Sequence, residues 1–270
     1  MEKRVQSASS IKTYKQCPRK YYYSYILKLE APPNVHQVRG NIAHSVLEEF
    51  FNIDTGTLTL ENCEARLKLT VQQLLLKQWQ NYKDRLELVG LTKEQEIFYF
   101  EDTLHMLFNW VDLFCGKIQK KKGTFSERFS ALTPMRELLF TSESYHIKGI
   151  IDAIEQNEDG SVRIMDYKTS SSQNINEHLL QLGIYSLLYH DKHGVLPKQV
   201  GIYFLKGREC CVNVDENLLE QAKKEIEYVH SRTQTEDVNQ YPKQVSGLCK
   251  WSTGKCDHYD VCMPFDKIFK

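Results

Sequence analysis

Neither sign of charge prevails in this chain: its 270 residues carry 35 Lys plus Arg against 35 Asp plus Glu. That balance excludes an overall basic field drawing the protein onto nucleic acid, so any grip on a polyanion must rest on a local patch. No apolar run approaches the roughly 20 residues of a membrane span. The polar start Met1-Glu2-Lys3-Arg4 is not followed by the apolar core of a signal peptide, and a cytoplasmic protein is the expectation. Repeats, low-complexity tracts and an obvious linker are all missing, which points to one domain over residues 1–270. The tight C-x2-C knuckle of zinc ribbons is missing too. Eight cysteines are present nonetheless, and in a reducing compartment they are poor disulfide candidates.

What is there divides by period. Residues 7–16 predict a short helix with serine caps, stopped near Cys17-Pro18 because the residue before proline avoids the helical region. A tyrosine-rich segment, 21–27, follows. Apolar stripes predict helices over 41–53, 61–87 and 93–115. The texture then changes to strands over 137–140, 145–154 and 161–167, separated by polar turns such as Glu158-Asp159-Gly160. A helix over 175–190, strands over 200–205 and 210–214, and a helix over 216–232 precede a cysteine-bearing tail. This order predicts an α/β fold, a mixed central sheet flanked by helices, with a helical insertion over 54–122.

The chemistry concentrates on the strands. Asp152 lies in Gly149-Ile150-Ile151-Asp152-Ala153 and Asp166 opens Asp166-Tyr167-Lys168. A hairpin turning near Gly160 brings the two carboxylates together, and Lys168 leaves the same strand face as Asp166. Hard divalent cations take carboxylate and carbonyl oxygens, so the Tyr167 carbonyl is a further candidate ligand. Taken alone, the set reads equally as a surface ion pair. His44 and Glu48 are spaced i, i+4 on one helix face; His44 is a candidate metal ligand or an ordinary core histidine. Gln181 and Tyr185, also i, i+4, fit the wall of a phosphate-binding cleft or, for Tyr185, the core. Cys249, Cys256 and Cys262 cluster in the tail, suggesting soft-metal ligation with Cys17 as the fourth thiolate; Cys63, Cys115, Cys210 and Cys211 fit buried positions. Two basic runs, Lys117 with Lys120–Lys122 and Arg19-Lys20 beside the tyrosines, are candidate DNA contacts, the first equally a solvated turn.

Six segments in order resemble a known family: Ser9 through Tyr21 with its Cys17-Pro18, Gly40-Asn41-Ile42-Ala43-His44, Gly149 to Asp152, Asp166 to Thr169, Gln181-Leu182-Gly183-Ile184-Tyr185, and the cysteine tail. Together they are similar to RecB-like nucleases of the PD-(D/E)XK superfamily, in the iron–sulfur branch that includes AddB nuclease domains and CRISPR-associated adaptation exonucleases. The resemblance implies a restriction-endonuclease-like fold whose ends are stapled by a [4Fe–4S] cluster on Cys17, Cys249, Cys256 and Cys262, covering position 17 and the region 241–265. It implies Mg²⁺ or Mn²⁺ on His44, Asp152, Asp166 and the Tyr167 carbonyl, catalysis by these with Lys168, and DNA contact by Gln181 and Tyr185. Glu137 corresponds to an acidic residue that some members carry before the aspartate strand. The implied activity is exonucleolytic cleavage of single-stranded DNA or DNA ends in repair, recombination or CRISPR adaptation, with helicase or adaptation proteins as partners; a non-cleaving DNA- or partner-binding protein on the same fold is the alternative. The tail departs from the relatives' C-x2-C-x5-C pattern, and an insertion of Ser252-Thr253-Gly254-Lys255 reconciles the two.

Overall fold

Helices begin where a short polar side chain can take up a free backbone N–H. Ser7, Asn34, Thr92, Thr124 and Asp215 each do so in the first turn of a helix. The computed structural model describes residues 3–251 and 254–264. In chain order the helices before the sheet are α1 (Ala8–Gln16), α2 (Pro18–Tyr21) continuing into one wide π-type turn (Tyr22–Ile26), α3 (Val35–Phe50), α4 (Cys63–Asn81), α5 (Lys83–Val89), α6 (Lys93–Lys120) and α7 (Phe125–Leu132). The capped start at Asn34 sets α3 going six residues before the apolar stripe at 41. The single helix expected over 61–87 is two, broken at Tyr82, whose backbone leaves the helical region. Helix α6 runs to Lys120, past the expected end at 115, and α7 was not foreseen in the periodicity.

Strands β1 (Met135–Ser142), β2 (Ile147–Gln156) and β3 (Val162–Lys168) follow, then a 3₁₀ turn (Ile175–His178) leading into α8 (Leu179–His193). Strands β4 (Gln199–Phe204) and β5 (Glu209–Asn213), helix α9 (Glu216–Arg232), a two-stranded ribbon of β6 (Lys250–Trp251) and β7 (Gly254–Lys255), and α10 (Tyr259–Cys262) complete the described chain. The five main strands lie in the order β1-β2-β3-β4-β5, antiparallel except for the parallel β3–β4 pair that α8 connects. Ala153, Met165, Tyr167, Tyr203 and Leu205 pack with α3, α4, α6 and α7 on one face. Ile151, Ile164, Ile202 and Phe204 pack with α1, α8 and α9 on the other. The expected mixed sheet between helical layers is what forms. No helix among the described residues is long and apolar enough to cross a membrane. Ser252 and Thr253, half of the proposed tail insertion, lie outside the described residues.

One irregularity in the sheet positions everything that follows. Pairing between β2 and β3 runs from Gln156–Val162 to Ala153–Met165 and stops. Beyond that point β2 pairs only with β1, while β3 pairs with β4, so the sheet parts just ahead of Asp152 and Asp166. Further out β2 takes up the N-terminal segment: Gln6 N–H donates to the His146 carbonyl at 2.9 Å, and Lys148 N–H to the Gln6 carbonyl at 2.8 Å. Side-chain alternation slips at the same place, since Ile151 and Ile154, three residues apart, share one core. On β1, Glu137 adopts a φ of 47°, a left-handed conformation that a non-glycine residue holds only where its surroundings impose it.

Helix α8 sits close against α9 because residue 183 is glycine. A Cβ there would lie 2.9 Å from the Ala222 Cβ and 3.1 Å from the Leu218 carbonyl oxygen. Gly183→Val should therefore overpack this interface and cost about 1–3 kcal/mol, measured as a lower denaturation midpoint; an unchanged midpoint would contradict the packing described.

Candidate active site

Two aspartates that a regular sheet would place side by side are left facing each other across the parted strands. Asp152 is 6% exposed and Asp166 1%. Each carboxylate is held by its own set of partners. Asp152 Oδ2 accepts the Tyr167 N–H at 2.9 Å and lies 3.5 Å from His44 Nδ1. His44 comes from α3, its Nδ1 also 3.5 Å from Glu137 Oε1, while its Nε2 donates to the Tyr167 carbonyl at 3.1 Å. Asp166 Oδ1 accepts from Gln181 Nε2 at 2.7 Å, and Lys168 Nζ stands 2.5 Å from Asp166 Oδ2. The same Gln181 amide donates to the Tyr185 hydroxyl at 2.8 Å.

The electrostatics follow from burial. Burial, then the neighbouring charge of Asp166, pushes the Asp152 carboxyl up to about 7, against the pull of His44 and the Tyr167 N–H. Burial disfavours the His44 imidazolium, but Glu137, Asp152 and Asp166 outweigh it and raise the group to about 9. Tyr185 is buried and its hydroxyl is pushed well above its ordinary value, so it stays protonated.

The structure thus brings together His44, Asp152, Asp166, Tyr167, Lys168, Gln181 and Tyr185. It adds Glu137: among the described residues, His44, Glu137 and Asp152 are the group whose ligand atoms converge, all within 4.8 Å of one another. Asp166 lies outside that trio, its Oδ2 buried without a hydrogen bond beside the Lys168 ammonium. One imidazole and hard carboxylate oxygens form a donor set that fits a small divalent cation. A cleft of about 460 Å³, lined by Gly40, His44, Glu48, Glu137 and Lys168, opens onto two of the trio, His44 and Glu137. A second cleft of about 440 Å³ is lined by Lys12, Lys15, Lys168, Asn176 and Gln181. Tyr185 lines neither; it stands behind Gln181 and orients it. Lys12 was not singled out in the sequence, although Ser9 and Lys12, three apart on α1, could have signalled a shared face.

The basic runs take other roles. Lys117 lies 2.7 Å from Glu209 and over the Tyr203 ring, and Lys121 lies 2.7 Å from Glu158, so half of that run is engaged in ion pairs. Arg19 donates to the Tyr241 and Val238 carbonyls and Lys20 pairs with Asp257 at 2.8 Å. Tyr21, Tyr22 and Tyr23 are buried, Tyr21 stacked on Tyr241, so the rings beside Arg19 and Lys20 are turned into the core. These contacts bring the chain ends together. Cys17, Cys249, Cys256 and Cys262, all partly buried, line one cavity of about 40 Å³ with Lys20 and His258. Their sulfur atoms are not among the groups of described residues whose ligand atoms converge within 4.8 Å. Cys63 and Cys115 are buried in the helical layer, as expected, whereas Cys210 and Cys211 on the edge strand β5 are only partly buried.

Both shifted groups have a folded pKa above the unfolded one, so metal-free stability falls as pH rises through about 7 and then about 9. A bound cation replaces those protons. The gain in Tm on adding Mn²⁺ should accordingly be larger above pH of about 9 than below about 7. Asp152→Asn should raise the Tm of the metal-free protein near neutral pH and remove most of the Mn²⁺ gain; a variant that is less stable yet still stabilised by Mn²⁺ would contradict this electrostatic account.

Comparison with known proteins agrees with this geometry. The profile of the PD-(D/E)XK nuclease superfamily matches residues 6–263. No curated protein matches the chain. Among solved structures, a candidate exonuclease from Eubacterium rectale is similar over 96% of this chain and 93% of that one, with a TM-score of 0.50 and 12% sequence identity, a likeness of fold. With matched segments running nearly end to end, and the parted strands carrying Asp152, Asp166 and Lys168, the chain belongs to the PD-(D/E)XK nuclease superfamily.

Proposed function

We propose that this protein is a Mg²⁺- or Mn²⁺-dependent deoxyribonuclease of the RecB-like iron–sulfur branch, acting as an exonuclease on single-stranded DNA or DNA ends. The observation that carries the reading is the pair of buried carboxylates, Asp152 and Asp166, beside a lysine at the junction of two clefts. His44, Asp152, Asp166 and the Tyr167 carbonyl, with Glu137 alongside, would hold the cation, which supplies neutralisation of phosphate charge and a more acidic water. The Tyr167 N–H fixes the Asp152 carboxylate, and Gln181, backed by Tyr185, fixes that of Asp166. Lys168 keeps a positive charge where negative charge builds on the phosphate during cleavage. The cavity shared by Cys17, Cys249, Cys256 and Cys262 supports a [4Fe–4S] staple between the chain ends.

The test is cleavage of end-labelled single- and double-stranded DNA with Mg²⁺ or Mn²⁺. Wild type should cut and Lys168→Ala should cut about a hundredfold or more slowly. A folded wild-type protein that binds DNA without cutting it would favour a binding role on the same fold. Cys17→Ala should give protein lacking visible thiolate-to-iron absorbance and poorly soluble, because a ligand is lost and the N-terminus is freed from the tail. Full colour in that variant would remove Cys17 from the ligand set.

A further inference from the structure

The face that presents the metal-binding trio continues outward as bare sheet. On β1 and β2, Phe140 is buried near the Tyr189 ring of α8, and a Cβ on Gly149 would meet Leu188 and Tyr185 of that helix at 3.1 Å. Those positions face α8. Their neighbours in the pleat, the cross-strand pairs Leu139–Ile150 and Thr141–Lys148, therefore face the other way. Glu137 and Asp152 reach His44 of α3 on that same side. Two residues along each strand from those acids, about 6.6 Å by strand geometry, come Leu139 and Ile150. They are 60% and 50% exposed, so no helix among the described residues covers them. Next comes Lys148, also exposed.

We propose that Leu139 and Ile150 form a shelf for the face of an unpaired nucleobase next to the scissile phosphate, with Lys148 holding the following phosphate. The inference rests on the nuclease reading above and names the residues that would select single strands. A nucleotide leaving the trio on the side away from the cleft of Lys12 and Gln181 passes over this shelf. Duplex DNA would press sugar and phosphate oxygens against two aliphatic side chains that offer no hydrogen bond, at the cost of desolvating them. An unpaired base presents an apolar π face that such a surface accepts without regard to sequence. The alternating order along the pleat, acid pair, apolar pair, lysine, matches metal-bound phosphate, base and next phosphate in turn.

The experiment compares wild type with Leu139→Thr/Ile150→Thr, which keeps strand-forming residues at two exposed positions and should leave the Tm near that of wild type. Binding of a fluorescent single-stranded oligonucleotide is measured by anisotropy in Ca²⁺, and cleavage separately in Mn²⁺. The shelf predicts about tenfold weaker binding and slower cleavage by the variant. It also predicts that wild type pauses at a single abasic residue in the labelled strand, whereas the variant shows little added pause, since base and shelf act as one pair. A variant that binds like wild type, or that keeps the full abasic pause, overturns the proposal. So does a wild-type dimer that the substitutions convert to monomer in velocity sedimentation, because the shelf would then be covered by a second copy. Shelf-dependent binding without cleavage by either protein would uphold the shelf and sink the nuclease reading instead.

Discussion

Asp152 and Asp166 are like charges buried in the interior of a sheet, and the surrounding structure is arranged around keeping them there. An uncompensated buried carboxylate costs several kcal/mol, and two facing each other repel. If β2 and β3 remained paired, Asp152 and Asp166 would be neighbours in the ladder. Instead pairing ends at Ala153–Met165 and the Tyr167 N–H, released from the ladder, turns to Asp152 Oδ2. The other compensating groups arrive from opposite layers: His44 from α3 on one face, Gln181 from α8 on the other. The positive φ of Glu137 belongs to the same distortion, because it turns a third acid toward His44 at the point where β1 is skipped in the pairing. Strain and like-charge burial are concentrated at one point, where a cation would offset the repulsion between the acids.

The joining of the chain ends is the second consequence. Gln6 pairs with the outer end of β2, and its amide donates to the Tyr21 hydroxyl at 2.8 Å and to Thr233 Oγ1 at 3.2 Å. Tyr21 in turn stacks on Tyr241, and Ser24 Oγ lies 2.9 Å from His258 Nε2. These contacts hold α1 beside α8, which sets Lys12 in the same cleft as Gln181 and Lys168. They also bring Cys17 to the same cavity as the tail cysteines. The tyrosine cluster is thus a clamp on the ends of the chain, and the positive charge in the cleft beside Gln181 comes from α1 and β3.

Much of this was legible in the sequence, for identifiable reasons. The strand meander announced itself because its residues alternate, and the hairpin at Gly160, whose φ of 78° suits glycine, gave the facing aspartates. The i, i+4 pair Gln181 and Tyr185 was visible, but its roles were not: which of two side chains lines a cleft depends on how close α8 comes to β2, a distance set by Gly149. Basic runs were misleading because a lysine's partner lies in another element. Lys117 is separated from Glu209 by most of the sheet in sequence, and only the fold joins them. The break at Tyr82 and the early start of α3 were hidden because helix ends depend on caps and packing more than on apolar period. Glu137 carries no local signal of its left-handed backbone; tertiary contacts impose it.

The most direct test of the account is where a divalent cation binds. Crystals soaked in Mn²⁺ should give an anomalous peak between the parted strands, with an Asp152 oxygen and a His44 ring nitrogen within about 2.0–2.4 Å, the range of small divalent ions with oxygen and nitrogen ligands. The peak should vanish in Asp152→Asn. A peak elsewhere in the protein, with none at the parted strands of the folded wild type, would contradict the claim that burial of these two acids serves metal binding.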